Sequence, residues 1–303
     1  MKIGYSCINN SVISTAASTF RLASYSESRL IHTIKNNLSH LTDILNYNIK
    51  NNILFFRITS KLIPFASHPI CKFDWSTHFQ LEFEEIGDYI QKHNIRISMH
   101  PDQFVIFNSP SIKIVDNSIR ELRYHCKVLD AMCLDQTAKV QIHIGGVYRN
   151  KLEAIERFIK MYNDEKIVDN LIRRRLVIEN DDHLYNLKDC LFINQQTGIP
   201  IVFDIFHHQC FSSNGEPLII AIQSAMSTWK TTDGLPMVDY SNQSFDNNGL
   251  RNRKGKHSTT IDLTLFRNFL KKTEGLDFDI MLEIKDKKKS ALKALDVLSK
   301  KMR

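Results

Sequence analysis

Short apolar runs alternate with amphipathic stretches along the 303-residue chain, and this alternation is the feature that most limits its fold. Each run has the length and the near-continuous Val, Ile, Leu and Phe content of a strand that is buried on both faces. The runs cover residues 2–8, 53–59, 95–100, 139–146, 175–181, 199–204, 236–241 and 278–285. Eight strands, each followed by a helix, predict an α/β fold with a parallel sheet, the (β/α)8 TIM barrel. A doubly wound open sheet is the alternative.

The amphipathic stretches supply the helices of these units. Their apolar residues recur at three- and four-residue steps, which is typical of helices that cover a sheet. The helices are predicted at 30–45, 79–90, 115–129, 151–162, 186–197, 217–229, 262–273 and 287–302. No stretch rich in Pro, Gly or Ser divides the chain, so we predict a single domain over residues 1–303.

The composition favours a soluble protein with an anionic partner. The formal net charge is +7, which suits a partner such as nucleic acid. The six cysteines form no CxxC pair, as expected for reduced thiols inside a cell. The sequence contains neither the apolar block of a signal peptide nor the run of about 18 apolar residues that spans a membrane. We therefore expect a cytoplasmic protein that does not bind membranes.

The segment "VFDIFHH" at 202–208 breaks the apolar pattern of a buried strand. Asp204 ends the run, and His207 and His208 follow it closely. A carboxylate is rarely buried unless it is paired or bound to a metal. The segment is therefore either a strand that enters an ordinary loop or a strand end that carries metal ligands.

The other strands also end in polar residues, which helps to decide between these alternatives. In a TIM barrel the carboxyl ends of the strands meet on one rim, where reactive side chains lie. Taken singly, each such residue could be a helix cap or a hydrogen-bonded loop residue. Together they place three histidines and four carboxylates on one rim, which predicts two or three divalent metal ions and hydrolysis or phosphoryl transfer. The strand-end residues are Asn9, Arg57, His100, His143, Glu179, Asp204 with His207, Asp239 and Glu283.

Several motifs in this order resemble the UV damage endonuclease family over almost the whole chain. They include "SMHPDQF" (98–104), "IHIGG" (142–146), "IENDD" (178–182), "VFDIFHH" (202–208) and "MLEIKDK" (281–287). The family consists of metal-dependent TIM barrels related to endonuclease IV. The resemblance implies a DNA repair enzyme that nicks damaged double-stranded DNA immediately 5′ of ultraviolet photoproducts, leaving a 3′-hydroxyl and a 5′-phosphate. Cyclobutane dimers, 6-4 photoproducts and abasic sites are the candidate lesions.

The resemblance also implies roles for individual residues. Glu179 would be the bridging carboxylate, and manganese is the expected metal, with magnesium, cobalt and zinc as other candidates. Gln103 and Phe104 match the pair that probes the duplex opposite an extruded lesion, and Tyr5, Asn9 and His68 match positions near the lesion and the scissile phosphate. The implied metal ligands, most of them already selected by the strand ends, are His100, His143, Glu179, Asp204, His207, His257 and Glu283.

The sequence departs from the family pattern in three places. In "PMVDYS" the family carries lysine at the position of Met237 and histidine at the position of Asp239. Asp239 can still bind a hard cation through oxygen, and we predict it as a ligand, whereas Met237 cannot replace a modified or charged lysine. Phe104 stands where tyrosine is frequent, and its apolar ring can still wedge into a base stack.

A basic segment, "LRNRKGKH" at 250–257, lies between the seventh and eighth strands, on the predicted active rim. Arg251, Arg253, Lys254 and Lys256 are predicted to contact phosphates, with a solvated loop as the alternative.

Two other function classes stay open on the sequence. A metal-dependent sugar isomerase or another small-molecule enzyme would need an enclosed pocket and would gain nothing from "HPDQF" or the basic loop. A non-catalytic barrel that binds nucleic acid through charge alone would have no use for clustered ligands. We expect the protein to act as a monomer.

Overall fold

The structure, a computed structural model, describes residues 1–10, 15–213, 215–246 and 248–301. Eight parallel strands in these ranges form a closed barrel in chain order, with β8 paired to β1. Closure confirms the TIM-barrel prediction and excludes the open sheet. The strands are β1 (Ile3–Ser6), β2 (Phe55–Ile58), β3 (Arg96–Met99), β4 (Lys139–His143), β5 (Leu176–Glu179), β6 (Ile201–Asp204), β7 (Met237–Tyr240) and β8 (Asp279–Leu282).

Helices surround the barrel, and all eight predicted helices are confirmed. Among the described residues the α-helices are α1 (Glu27–Lys50), α2 (Trp75–His78), α3 (Gln80–Lys92), α4 (Ile112–Ala131), α5 (Lys151–Asn163), α6 (Asn170–Arg173), α7 (Leu187–Thr197), α8 (Ile205–Cys210), α9 (Leu218–Met226), α10 (Leu263–Lys272) and α11 (Lys288–Lys301). The short helices α2, α6 and α8 were not predicted, because four to six residues are too few for a helical period to be recognised. None of the helices described is long and apolar enough to cross a membrane.

Helix α8 corrects our interpretation of the segment after β6. Asp204 ends β6 as predicted, but the chain turns into a helix directly after it, and the Asp204 side chain accepts a hydrogen bond from the backbone N–H of His207 at 2.6 Å. An aspartate at this position satisfies one of the free amide groups of a first helical turn. His207 therefore lies on a helix, and its position is fixed by the helix start.

Among the described residues, two superposed layers of side chains lie inside the barrel. The lower one, here called the apolar layer, consists of five buried residues, Phe55, Val177, Val202, Met237 and Met281. Side chains two residues apart on a strand point to the same side. Two positions after each of these residues stands a polar one, and together they form the upper layer at the carboxyl ends of the strands: Arg57, Glu179, Asp204, Asp239 and Glu283.

Candidate metal centre

Glu179, at the end of β5, is the hub of the upper layer. It is almost fully buried, and each of its oxygens faces different imidazole rings. Oε2 lies 3.3 Å from Nε2 of His100 and 3.6 Å from Nε2 of His143. Oε1 lies 3.2 Å from Nδ1 of His207. One carboxylate therefore joins two groups of potential metal ligands, as a bridging ligand does.

Asp204 and His207 form the second group with Glu179. Oδ2 of Asp204 lies 3.6 Å from Nδ1 of His207, which also lies 3.1 Å from the backbone oxygen of Asn180. The Asn180 amide donates to the carbonyl of Asp204 at 2.9 Å, and its oxygen accepts the Asp204 N–H at 3.0 Å. Asn180 thus fixes the backbone from which both ligand candidates project.

His257 and Glu283 lie beside these groups. Nδ1 of His257 lies 3.0 Å from the backbone oxygen of Glu283, a contact that suits an Nδ1–H donor. Nε2 then keeps its lone pair, and it lies 3.9 Å from Oε2 of Glu283. A backbone carbonyl that holds one ring nitrogen while the other faces the site is typical of metal-binding histidines.

Arg57 occupies the centre of the barrel mouth and binds two of the carboxylates. Its Nη2 donates to both oxygens of Asp239 at 2.8 and 2.9 Å, and Nη1 donates to Oε1 of Glu283. Gln141 connects this pair to the hub, because its Nε2 donates to Asp239 at 2.7 Å and to Oε2 of Glu179 at 2.6 Å. Arg57 and Asp239 are only 2% and 0% exposed.

The pKa shifts show that the carboxylates compete for positive charge. Burial raises the pKa of Asp204 well above its usual range, and neighbouring carboxylates add to the effect. Burial also raises the pKa of Asp239, to about 7, although Arg57 opposes the shift. In contrast, burial is outweighed at Glu283, where Arg57 lowers the pKa to about 2, and at Glu179, where His143 and the other histidines lower the pKa far below its usual value.

The donor atoms present fit divalent metal ions. Oε1 of Glu179 and Oδ2 of Asp204 are buried and have no hydrogen-bond partner among the described residues. Such an unpaired polar atom costs about 1–3 kcal/mol, so both oxygens suit a ligand that the protein itself does not supply. Two sets combine them with imidazoles, each with donor atoms within 4.8 Å of one another: His100, His143 and Glu179, and Glu179, Asp204 and His207. Mixed imidazole and carboxylate donors suit manganese, iron and zinc.

Two cavities flank the upper layer and meet at Gln103. One, of about 730 Å³, is lined by His143, His207 and the loop residues Arg253 and Lys254, and the other, of about 700 Å³, by His100, Glu283 and Phe104. Phe104 is 65% exposed. The structure thus brings Gln103 and Phe104 to the rim beside the ligand candidates.

The basic loop after β7 is folded back on itself as a short antiparallel pair. Gln243 pairs with His257, and Phe245 pairs with Arg251. Arg253 and Lys254 face the larger cavity, whereas Arg251 and Lys256 are exposed and donate to Gln243 at 3.4 Å and to Asn252 at 3.2 Å. Arg253 and Lys254 therefore lie beside the candidate ligands, and the phosphate contacts of the four cations stay a prediction.

The remaining predicted site residues are divided between the surface and the core. His68 is exposed and lines a cavity of about 390 Å³ with Phe104. Tyr5 and Asn9 are fully buried, and Tyr5 bonds to Asn48 at 2.6 Å and to Asn9 at 2.9 Å. Neither Tyr5 nor Asn9 offers its side chain to a DNA chain in this structure.

The roles of Gln141 and Asn180 were not predicted from the sequence. Gln141 stands two residues before His143 on β4, so the alternation of a strand places it inside the barrel, and this signal could have found it. Asn180 follows Glu179 directly, and its contact with Asp204 spans two strands. No local sequence pattern predicts such a contact.

Comparisons with known proteins agree with this fold. A sequence model of the family described as UV-endonuclease UvdE matches residues 1–302. A UV DNA damage endonuclease of Clostridium perfringens is 39% identical over 302 residues, which cover 98% of this chain and 71% of that protein. The crystal structure titled SacUVDE is 43% identical with a TM-score of 0.91, covering 99% of this chain and 98% of that one. Endonuclease IV from Thermus thermophilus has a TM-score of 0.60 at 14% identity, with 99% and 97% covered, and shares the fold.

Proposed function

The chain belongs to the UV-endonuclease UvdE family, and on that premise we propose that it incises ultraviolet-damaged double-stranded DNA at a centre of divalent metal ions. The family resemblance expected from the sequence motifs is confirmed. The proposed cut lies immediately 5′ of the lesion and leaves a 3′-hydroxyl and a 5′-phosphate. Cyclobutane dimers, 6-4 photoproducts and abasic sites are the proposed lesions.

The proposal of a metal centre rests on one observation. Buried carboxylate oxygens of Glu179 and Asp204, which have no hydrogen-bond partner among the described residues, face histidines on the rim of the barrel. Glu179 is the proposed bridge between two ligand groups. His257 and Glu283 complete the set, and manganese is the proposed metal, with magnesium, cobalt and zinc as alternatives. The proposed ligands are His100, His143, Glu179, Asp204, His207, His257 and Glu283.

Metal ions held here would lower the pKa of a water molecule and neutralise charge on a phosphodiester. The protein groups around them fix the positions of the ligand side chains. Gln141 fixes Oε2 of Glu179 by a hydrogen bond at 2.6 Å, and the helix start at Asp204 fixes His207. Asp239 differs from the other acidic residues because both of its oxygens are bound by Arg57.

Lesion recognition is assigned to the loop after β3. Bases that carry a photoproduct stack poorly, so their extrusion costs less than that of intact pairs. Gln103 and Phe104 are exposed between the two cavities, where they could fill the space that the lesion leaves. Arg253 and Lys254 line the neighbouring cavity and would bind phosphates. An exposed aromatic ring and a basic rim serve a polyanionic duplex and would contribute nothing to a sugar isomerase.

The test is incision of irradiated and intact duplex DNA by the full chain, with manganese and with a chelator. We expect nicks only in irradiated DNA and only with metal. Glu179→Gln should lower the incision rate by about a hundredfold or more, since it removes the charge of the bridge at constant volume. Glu156→Gln, on the exposed side of α5, is the matched control. Equal cutting of both DNAs, or full activity of Glu179→Gln, would contradict the proposal.

We further propose that the chain acts as a single-domain monomer in the cytoplasm, in association with the nucleoid through DNA. Sedimentation of the full chain with and without duplex DNA tests the stoichiometry of this complex.

A further inference from the structure

One cluster of acidic residues in the upper layer already binds a positively charged side chain of the protein itself. Asp204, Asp239 and Glu283 bring carboxylate oxygens within 4.8 Å of one another, a spacing that could hold a divalent ion. The guanidinium of Arg57 lies against this group and donates to both oxygens of Asp239 and to Oε1 of Glu283. Guanidinium and carboxylate form paired, charge-assisted hydrogen bonds here, which are among the strongest in proteins.

The lone pairs of Asp239 are largely used by these contacts. Oδ2 accepts from Arg57 at 2.8 Å and from Gln141 at 2.7 Å, and Oδ1 accepts from Arg57 at 2.9 Å. A metal ion at Asp239 would have to displace the guanidinium, which cannot lose its proton in a protein. Arg57 is 2% exposed, so in this position its charge is balanced by the carboxylates that it binds and hardly by water.

The residue below Asp239 offers no alternative ligand for a hard cation. Met237 lies two positions earlier on β7, in the apolar layer, and presents a thioether. Soft sulfur ligands do not suit manganese or magnesium. Asp239 differs in this from two other carboxylates of the centre, because Oε1 of Glu179 and Oδ2 of Asp204 have no hydrogen-bond partner among the described residues.

We infer that this centre holds two divalent ions and that Arg57 takes the place of a third beside Asp239. One ion lies among His100, His143 and Glu179, and the other among Glu179, Asp204 and His207. Arg57 and Asp239 neutralise each other, and Asp239 is therefore not a metal ligand, in contrast to our expectation from the sequence. The inference rests on the metal centre of the proposed function.

The test is the metal content of the full chain after loading with Mn²⁺ and gel filtration, measured by inductively coupled plasma mass spectrometry. We expect about two manganese ions per wild-type chain. Asp239→Asn should keep about two, since the amide oxygen still accepts from Arg57 and no ligand is lost. Asp204→Asn is the matched control, an identical change in the same layer, and should lose about one ion.

Arg57→Met should raise the content to about three ions, because it frees Asp239 and Oε1 of Glu283, which then need a cation, while Oε2 of Glu283 keeps its place beside His257. A content that stays at two in this variant would overturn the assignment of Arg57 to a metal position. If Arg57→Met does not fold, wild type and Asp239→Asn decide the matter. Three ions in the wild type, or a lost ion in Asp239→Asn, overturns the inference alone, whereas a wild type that binds no manganese overturns the metal centre itself.

Discussion

The carboxylate of Asp204 contacts His207 twice, once through each oxygen. Oδ1 accepts the backbone N–H of His207 at 2.6 Å, and Oδ2 lies 3.6 Å from the imidazole. The same side chain thus starts helix α8 and faces the ring that the helix carries. The capping oxygen and the ligand oxygen can be separated by mutation, because asparagine caps helices as well as aspartate does but carries no charge.

Asp204→Asn and Asp204→Ala should therefore differ in stability and agree in metal binding. We expect the alanine variant to unfold with a free energy about 1 kcal/mol below that of the asparagine variant, since it alone loses the cap. Both should bind manganese at least about tenfold more weakly than the wild type. Denaturant unfolding in the presence of a chelator and calorimetric titration measure the two effects. Equal stability of the variants would show that the cap does not stabilise α8.

Replacement of the four basic loop residues by alanine should weaken DNA binding and reduce its dependence on salt. The variant combines changes at Arg251, Arg253, Lys254 and Lys256. Each lost phosphate contact lowers the slope of log K against log salt by roughly 0.9. Titrations of duplex DNA at several salt concentrations measure the slope.

The matched control for the loop removes the same number of charges from helices α10 and α11. Lys271, Lys272, Lys289 and Lys293 are exposed there. Their replacement should leave the slope nearly as it is in the wild type. If the two variants change the slope equally, the loop contributes only net charge and the phosphate contacts are refuted.

The double variant Gln103→Ala and Phe104→Ala should lose binding to damaged duplex while keeping its metals. Truncation removes stacking worth about 1–3 kcal/mol per base contact, or roughly one to two powers of ten in affinity. The defect should shrink on substrates whose lesion lies opposite a gap, since less unstacking is then required. The measurement is incision of paired and pre-opened lesions by wild type and variant. An equal defect on both substrates would exclude a wedge.

His125, on helix α4, should make the protein less stable in mild acid. Burial lowers its pKa to about 4, against about 6.5 in an unfolded chain. Between these values the unfolded state binds more protons, so the free energy of unfolding falls as the pH falls through this window. The contribution is complete above the unfolded pKa, and about 3 kcal/mol of it is lost by about pH 4.

The variant His125→Asn isolates this contribution, because its amide can replace the contact of Nδ1 with the Glu121 carbonyl at 2.7 Å but does not titrate. Unfolding of metal-free wild type and variant is compared from about pH 7 to about pH 4. As the pH falls across this range, the free energy of unfolding of the wild type should fall relative to that of the variant. A constant difference would mean that His125 is not held neutral.

The parts of the site that follow from strand order were predictable from the sequence. His100 directly follows β3, and His143 and Glu179 end β4 and β5, so any closed parallel barrel brings them to one rim. The helices were predictable for the same reason, since an apolar stripe must face the sheet.

The pairing of Arg57 was not predictable from the sequence. Its carboxylate partners lie 182 and 226 residues further along the chain, and the choice among four carboxylates depends on the tilt and stagger of the strands. Helix α8 was not predicted from the sequence for a different reason. Its six residues are too few to show a helical period, although Asp204 both ends β6 and caps the helix.

The two superposed layers of the barrel limit how this protein can change in length. Each residue of the apolar layer and the polar residue above it share one strand face, two positions apart. Insertion of a single residue earlier in such a strand would turn both side chains toward the surrounding helices at once. A functional group of the upper layer and a core residue of the apolar layer would be lost together. An insertion in β7 or β8, for example, would also take Asp239 or Glu283 away from Arg57. Length variation is therefore expected in the loops, such as the basic loop after β7, and substitution without insertion is expected in the strands.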